Sequence, residues 1–274
     1  MMRSLWSAAS GMKAQQTSVD TIAHNISNVN TVAYKSQSTQ FKSLLYQTLR
    51  EETTSANGEQ KPTSAQVGLG TRVASINASF TQGAMTANSS MSALCINGNG
   101  FFQVMGANGT DRYYTRNGDF TWAVSEEEGQ LTLSTNTGLQ VLDRDGEVIH
   151  VPNNVSADAV TISSDGSVGY KNKDGSYTDT GKKIALFQFP NPTGLQKMAN
   201  NLYAVTNASG AALSEWEGDN VTPSTIAQGY LEGSNVNVAD EMVNLIVSQR
   251  AYELNSKAIT TSDTMLEQAN NLKR

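Results

Sequence analysis

Apolar residues recur every seven positions near both ends of the chain, a spacing typical of amphipathic helices that pack against other helices. The N-terminal stripe consists of Leu5, Met12, Val19, Ile22, Ile26 and Val29. The C-terminal stripe consists of Val238, Leu245, Tyr252, Ile259 and Leu266, flanked by Met242 and Ile246. A helix from Val238 to Leu272 is about 52 Å long at about 1.5 Å per residue, so a small domain cannot cover its apolar stripe. The pattern predicts two long helices whose stripes need a further partner.

The start of the C-terminal helix carries its own signals. Ser234 and Asn235 precede it and are predicted to supply capping groups. Asp240 and Glu241 follow in the first turn, where the helix dipole favours negative charge.

The middle of the chain has short alternating runs instead of a helical period. Examples are 101–105, 131–133, 160–162 and 184–189. Candidate tight turns are Asn108-Gly109, Asn117-Gly118, Asp145-Gly146, Asp165-Gly166 and Asp174-Gly175, each with a glycine that can adopt positive φ. This pattern predicts a mostly antiparallel β domain.

The expected fold class is therefore α+β, with the N- and C-terminal helices paired as a coiled-coil-like hairpin and with a central, mostly antiparallel β domain. We assign residues 1–33 and 236–274 to the helical domain and residues 96–199 to the β domain. Residues 34–95 and 200–235 form a connecting region with extended segments. Within it, the polar stretch 51–65 is predicted to be a loop or linker.

Composition narrows the range of functions. The net charge of -6 and the lack of a basic stripe argue against nucleic-acid binding. No run of about 18 apolar residues predicts a membrane span, and the N-terminus lacks the apolar core of a cleaved signal peptide. Cys95 lies in an apolar run and is predicted to be a buried structural residue.

The sequence offers little for catalysis or metal binding. Its two histidines, His24 and His150, lie in different regions, and His24 is predicted to be on a helix surface. The run 143–147 superficially resembles a calcium loop but lacks the later ligands, so a hairpin turn explains it better. The glycines of 96–101 lack the lysine of a phosphate-binding loop and indicate a tight strand entry. We therefore assign no catalytic, cofactor or metal residues and expect no enzyme.

Three separate motifs resemble those of the rod and hook proteins of the bacterial flagellum. They lie at residues 10–35, at 98–104 with 114–120, and at 229–238 with 249–257. In the first motif Ala33 stands where the family usually has glycine, so we expect the turn after the helix to differ in detail. The opening residues 3–6 and the segment 44–50 resemble the distal rod members. Proximal rod and hook proteins are the nearest alternatives.

The resemblance implies a structural subunit that polymerises into the straight rod and transmits torque from the rotor to the hook. It also implies export through the flagellar type III apparatus without a cleaved signal peptide, and a place in the periplasmic rod. The implied partners are other copies of the chain, proximal rod proteins, the hook protein and ring proteins. An alternative from another class is a β-rich binding module dimerised by its helices.

The apolar stripes give an independent reason to expect polymerisation. Two stripes in one chain can pair and still leave apolar flanks for neighbouring copies. The candidate assembly residues are those of the two stripes with Met242 and Ile246. A contact between copies that does not close into a ring propagates a helical filament.

Overall fold

A computed structural model describes residues 2–50, 64–106, 108–124, 129–152, 155–172, 176–216 and 221–272. The chain divides into two compact units. Unit 1 is drawn from Met1–Ser27, Gln37–Ala78 and Asn237–Arg274, and unit 2 from Asn28–Ser36 and Ser79–Val236. The predicted linker 51–65 lies almost entirely outside the described residues.

Unit 1 contains both long helices and four strands. Helix α1 spans Met2–Ser27 and helix α2 spans Val238–Asn271, which confirms the two helices predicted from the seven-residue spacing. The strands are β1 (Gln37–Ser43), β2 (Tyr46–Arg50), β3 (Ala65–Gly68) and β4 (Thr71–Ala78). They form two antiparallel ribbons, β1 with β4 and β2 with β3.

The start of α2 differs from the prediction. The capping residue is Asn237, whose Oδ1 accepts a hydrogen bond from the Ala239 N–H at 3.1 Å. The prediction that Ser234 and Asn235 cap this helix was wrong, because Asn235 instead accepts a hydrogen bond from the Ser36 N–H within unit 2. Asp240 and Glu241 do lie in the first turn, as predicted.

Unit 2 is built from short antiparallel strands. They are β5 (Met85–Ala87), β6 (Leu94–Asn97), β7 (Phe101–Met105), β8 (Arg112–Thr115), β9 (Phe120–Val124), β10 (Leu131–Thr135), β11 (His150–Val151), β12 (Val160–Ile162), β13 (Ser167–Lys171), β14 (Tyr177–Lys183), β15 (Leu186–Gln188), β16 (Gln196–Lys197), β17 (Leu202–Ala204), β18 (Leu213–Ser214), β19 (Thr225–Gln228) and β20 (Tyr230–Glu232). The largest sheet has the order β16-β17-β8-β7-β15-β18. Smaller sheets have the orders β11-β10-β9, β12-β13-β14, β19-β6 and β20-β5. The α+β class is confirmed, while the coiled-coil geometry and the three-part domain division stay predictions.

The core of unit 2 lies between these sheets. One apolar cluster gathers inward-facing side chains from β6, β7, β9, β10, β12, β13 and β15, including the fully buried Ile96, Phe102 and Leu133. A second, aromatic cluster contains Phe101 and Tyr203, whose ring centroids lie 5.9 Å apart. Successive side chains of β7 point to opposite faces, so Phe102 and Val104 enter the first cluster and Phe101 enters the second, and both faces of this strand are buried.

The predicted turns are mostly confirmed. Gly109, Gly146 and Gly166 all have positive φ. Gly118 does not, so that reason for a glycine was wrong; a Cβ there would collide with the backbone carbonyl of Leu94. Asp174-Gly175 lies outside the described residues.

Candidate assembly surface

The two helices of unit 1 lie side by side and run in opposite directions. Near one end Ser4 and Ser262 share a hydrogen bond with 3.3 Å between their hydroxyl oxygens, and further along Ser18 and Ser248 do the same. The first partner advances along α1 while the second retreats along α2. The predicted pairing of the chain's two ends is therefore present as an antiparallel helix contact.

The predicted assembly residues fall into three groups. Ile22 is buried, and Val29 lies beyond the end of α1 in unit 2. Half-buried side chains are Leu5, Met12, Val19, Ile26, Leu245, Ile259 and Leu266. Exposed side chains are Val238, Met242, Ile246 and Tyr252. The structure thus brings most of them into one unit, but it leaves the second and third groups incompletely covered.

Helix α2 keeps much of its apolar surface in solvent. Ser248 is its only buried residue in the described part of the chain. Met242, Ile246 and Val247 are 54%, 56% and 62% exposed. Val243, Leu254 and Met265 are also exposed, although they were not among the predicted residues. Single exposed apolar residues are ordinary, but a row of them along one helix marks an interaction surface.

A shallow groove runs along the edge of the helix pair. Its volume is about 370 Å³, and its lining residues are Gln16, Val19, Gln249, Tyr252 and Glu253. It is open and carries one apolar and one aromatic side chain from the predicted set. Its lining offers no arrangement of nucleophile and base for catalysis.

The strand ribbons of unit 1 add a second apolar surface. Leu45 and Tyr46 are exposed where one ribbon meets the next, and Leu49 is exposed further along β2. Phe41 on β1 and Ile76 on β4 are exposed as well. Period-two alternation in the sequence did not identify these residues.

A different kind of site is enclosed in unit 2, where one carboxylate holds two cations. Glu232 Oε1 accepts hydrogen bonds from Lys35 Nζ at 2.7 Å and from the Gly83 N–H at 2.9 Å. Its other oxygen, Oε2, accepts from Arg116 Nε at 3.0 Å. All three charged side chains are almost completely inaccessible to solvent. We call Lys35, Arg116 and Glu232 the buried ion cluster.

Lys35 and Arg116 each donate one further hydrogen bond to a backbone carbonyl. Lys35 Nζ donates to the Thr81 carbonyl at 2.8 Å, and Arg116 Nη2 donates to the Gly98 carbonyl at 2.9 Å. The backbone carbonyl of Glu232 accepts from the Ala33 N–H at 2.8 Å. The cluster therefore joins five separate parts of the chain, at residues 33–35, 81–83, 98, 116 and 232.

The charges in the cluster perturb one another. Burial and the nearby Arg116 charge lower the pKa of Lys35. Burial alone would raise the pKa of Glu232, but the Arg116 charge and the Lys35 hydrogen bond outweigh it and lower that pKa. Glu232 is thus ionised at neutral pH, as a counter-charge must be.

Ala33 reaches the cluster through a strained backbone. Its φ is 55°, in the left-handed region that favours glycine. The turn after α1 was expected to differ in detail because Ala33 replaces the glycine of the family. Ala33 nevertheless has the left-handed conformation. The alanine adopts that conformation at an energetic cost.

The other candidate residues have structural roles. Cys95 is fully buried in β6, as predicted, and burial raises the pKa of its thiol to about 11. His24 lies on the surface of α1. The run 143–147 forms a turn in which Asp143 Oδ1 accepts from the Asp145 and Glu147 N–H groups. In the described residues, no three His, Cys, Asp or Glu side chains cluster in a way that could hold a metal ion. Nor does any described helix combine the length and apolar character needed to cross a bilayer.

Comparison with known proteins gives matches along the whole chain. Three family descriptions match: "Flagella basal body rod protein" at residues 5–35, "Flagellar hook protein FlgE/F/G D1 domain" at 95–170, and "Flagellar basal body rod FlgEFG protein C-terminal" at 227–272. The flagellar basal-body rod protein FlgG of Borreliella burgdorferi is 42% identical, with 100% of both chains covered. The protein of that name from Bacillus subtilis is 38% identical, again over 100% of both chains. The chain belongs to the flagellar basal-body rod protein family.

The three matched regions meet at the buried ion cluster. Lys35 comes from the first region, Arg116 from the second and Glu232 from the third. The three sequence motifs at 10–35, 114–120 and 229–238 contain these residues, but the motifs alone do not show that they meet. A lone charge inside an apolar or glycine-rich motif was the available signal, since such a charge needs a partner when it is buried.

Proposed function

We propose that this chain is a structural subunit of the flagellar basal body that polymerises into the straight distal rod. In that role it transmits torque from the rotor to the hook and performs no catalysis. The observation that carries the proposal is the exposed apolar face of α2, seen in a chain that belongs to the rod protein family. Covering such a face with another surface removes apolar area from water and is therefore favourable.

Other copies of the chain can supply that cover. Fully burying one Val, Leu, Ile or Met side chain is worth about 1.5–3 kcal/mol, and these half-exposed side chains would gain roughly half as much. Six such residues on α2 therefore yield several kcal/mol per copy before the cost of ordering is subtracted. A contact of this type between different surfaces of two copies extends into a helical filament if it does not close.

We assign the contact between copies to the exposed and half-buried members of the apolar stripes. In this arrangement the terminal helices pair in a coiled-coil-like manner and form the inner tube, and residues 96–199 lie on the outer surface. Residues 34–95 and 200–235 join the two layers. The antiparallel contact of α1 with α2 supports the first part of this assignment.

The assembly would have further partners in the same organelle. We expect the ends of the polymer to meet proximal rod proteins and the hook protein, and its outer surface to meet ring proteins. Export would use the flagellar type III apparatus, which places the polymer in the periplasm. The names of the relatives, which refer to the basal-body rod, support this setting.

The first test replaces Ile246 by Asp. Because Ile246 is exposed in the single chain, the charge should leave the fold intact. Burying an unpaired carboxylate between copies costs several kcal/mol, so the concentration needed for assembly should rise by more than about tenfold. Negative-stain electron microscopy of concentrated protein and light scattering measure this, while circular dichroism checks the helices.

Asn244→Asp is the matched control. Asn244 is an exposed polar residue two positions away on α2, and its replacement adds the same charge. Straight tubes from the parent and from Asn244→Asp, but none from Ile246→Asp, support the proposal. Discrete dimers from the parent at every concentration would favour the binding module instead, and normal tubes from Ile246→Asp would refute the assigned surface.

A further inference from the structure

A ladder of small and polar residues joins α1 to α2. Its four rungs are Ser4 with Ser262, Gly11 with Asn255, Ser18 with Ser248, and Asn25 with Glu241. Each step of seven positions forward in α1 is matched by a step of seven positions back in α2. The apolar side chains of the stripes beside these rungs are mostly half-buried, and Ile22 is buried.

The rungs differ from one another in size and in hydrogen bonding. In the second rung the Asn255 side chain lies over Gly11, so closely that a Cβ on Gly11 would be 2.9 Å from its Nδ2. In the first and third rungs the serine hydroxyls share hydrogen bonds at 3.3 Å. Gly11 thus leaves the space on α1 that the Asn255 side chain of α2 occupies.

The last rung is anchored to the neighbouring ribbon. Asn25 is fully buried, and its Nδ2 donates to Glu241 Oε1 at 3.2 Å and to the Gln37 carbonyl at 2.8 Å. Its Oδ1 accepts from the Gln37 N–H at 2.9 Å. This side chain therefore fixes α1 to β1 and to α2 at one point.

The apolar stripes alone cannot select one alignment. A slip of α1 against α2 by seven residues replaces one apolar side chain of a stripe with another, so the packing of the stripes changes little. The same slip places Asn255 against the Ser4 or Ser18 side chain and separates Glu241 from Asn25. A mispaired polar group in a helix contact costs stability, which is how single polar residues specify register in coiled coils.

We propose that these four rungs form a register key, which selects one antiparallel alignment of α1 with α2 and leaves the exposed apolar face of α2 available to other copies. The first part concerns the single chain and does not depend on polymerisation. The second part rests on the proposed function. Because serine, glycine and asparagine bury little apolar surface, the key gives alignment at the expense of strength.

Cysteine cross-linking tests the alignment in full-length protein carrying Cys95→Ala. The matched pair is Ser18→Cys with Ser248→Cys, whose hydroxyl oxygens are 3.3 Å apart in the parent. The mismatched pair is Ser18→Cys with Asn255→Cys, one step of seven away. Within single chains, the matched pair should form its disulfide more than about tenfold faster, because seven residues along a helix displace the mismatched position by about 10 Å, beyond the reach of a disulfide. Equal rates, or no disulfide in either dilute or assembled protein, would overturn the key.

A swap across the second rung provides the second measurement. In the matched cysteine background, Gly11→Asn should slow disulfide formation, because the added side chain would need the space that Asn255 occupies. Adding Asn255→Gly restores one large and one small residue and should restore most of the rate. The neighbouring change Met12→Leu is the control and should have little effect. If Gly11→Asn leaves the rate of disulfide formation unchanged, the key is contradicted. A slowed rate that the swap does not restore contradicts it as well.

Failure of the key and failure of the proposed function give different results. If the matched pair closes selectively but the protein never forms tubes, the key stands and polymerisation is wrong. If tubes form while both pairs close equally, polymerisation stands and the key is wrong. Protein with the matched disulfide closed should still form tubes, because the lock leaves the exposed apolar face unchanged.

Discussion

The buried ion cluster leads to a quantitative prediction for Glu232→Gln. The glutamine keeps the shape of the side chain and one acceptor oxygen, but it removes the negative charge. Lys35 and Arg116 then remain buried with no counter-charge. The substitution therefore removes attraction and introduces repulsion between two cations in one step.

The expected loss is large. Removing one partner of a buried ion pair typically costs about 3–5 kcal/mol, and here the carboxylate serves two partners. Glu232 also accepts from the Gly83 N–H, which the glutamine oxygen can still satisfy in only one orientation. We expect unit 2 to lose at least about 3 kcal/mol, a large share of the roughly 5–15 kcal/mol that stabilises a typical domain.

Urea unfolding followed by tryptophan fluorescence measures this loss. The three tryptophans are Trp6, Trp122 and Trp216, and Trp6 is an exposed residue of α1. A Trp6→Phe background therefore confines the signal to Trp122 and Trp216 in unit 2. The free energy of unfolding follows from the midpoint and slope of the transition.

Glu147→Gln is the matched control. Glu147 is exposed and pairs with Lys182 at 2.6 Å, so its loss should cost less than about 1 kcal/mol. Arg116→Met together with Lys35→Met and Glu232→Leu should recover much of the stability, because a buried ion group can be replaced by apolar residues. A Glu232→Gln protein that unfolds within about 1 kcal/mol of its parent would refute this account.

Two further predictions use the same unfolding assay. Ala33→Gly should stabilise unit 2 by about 0.5–1 kcal/mol, because relief of left-handed strain exceeds the added entropy of the unfolded chain. The control Ala93→Gly, at a buried site without positive φ, should destabilise unit 2. A loss of stability in Ala33→Gly would contradict the strain. The folded pKa of Glu232 lies below its usual 4.5, so the unfolded state binds more protons below about pH 4.5. The stability from Glu232 is therefore complete above that pH and is lost as the pH falls through the folded pKa; Glu232→Gln should show a shallower acid loss than the parent between about pH 6 and pH 3, and equal slopes would count against the ionised carboxylate.

Local patterns were sufficient where one element repeats a simple rule. The seven-residue stripe placed α2 at Val238–Leu272, and the helix spans Val238–Asn271. The alternating runs at 101–105 and 160–162 coincide with β7 and β12. In these cases the period of the side chains and the nearby glycines determine the element without help from distant residues.

Local patterns failed where the decisive partner is distant. Lys35 and Glu232 are 197 positions apart, and the rung of Ser18 and Ser248 joins residues 230 positions apart. The seven-residue spacing drew attention to the apolar residues, while polar residues of the same spacing also join the two helices. A serine on a helix resembles a solvated residue until its partner is known.

The capping error has the same origin. Ser234, Asn235 and Asn237 are all suitable capping residues, and sequence alone does not rank them. Tertiary hydrogen bonds to Ser36 and Thr81 hold Asn235 outside the helix. The structure therefore leaves Asn237 as the cap.

Unit 1 combines segments from both ends of the chain, so its surface can form only after both ends have been translated. Most of unit 2 is one contiguous segment, residues 79–236. In unit 1, by contrast, α1 can pair only with α2, whose residues are translated more than 200 positions later. A chain that stops before Val238 retains most of unit 2 but has neither the exposed apolar face of α2 nor a partner for α1. Under the proposed function, such a fragment lacks the surface that would add it to a growing polymer. The proposed assembly surface therefore requires a chain that has been translated through its last helix.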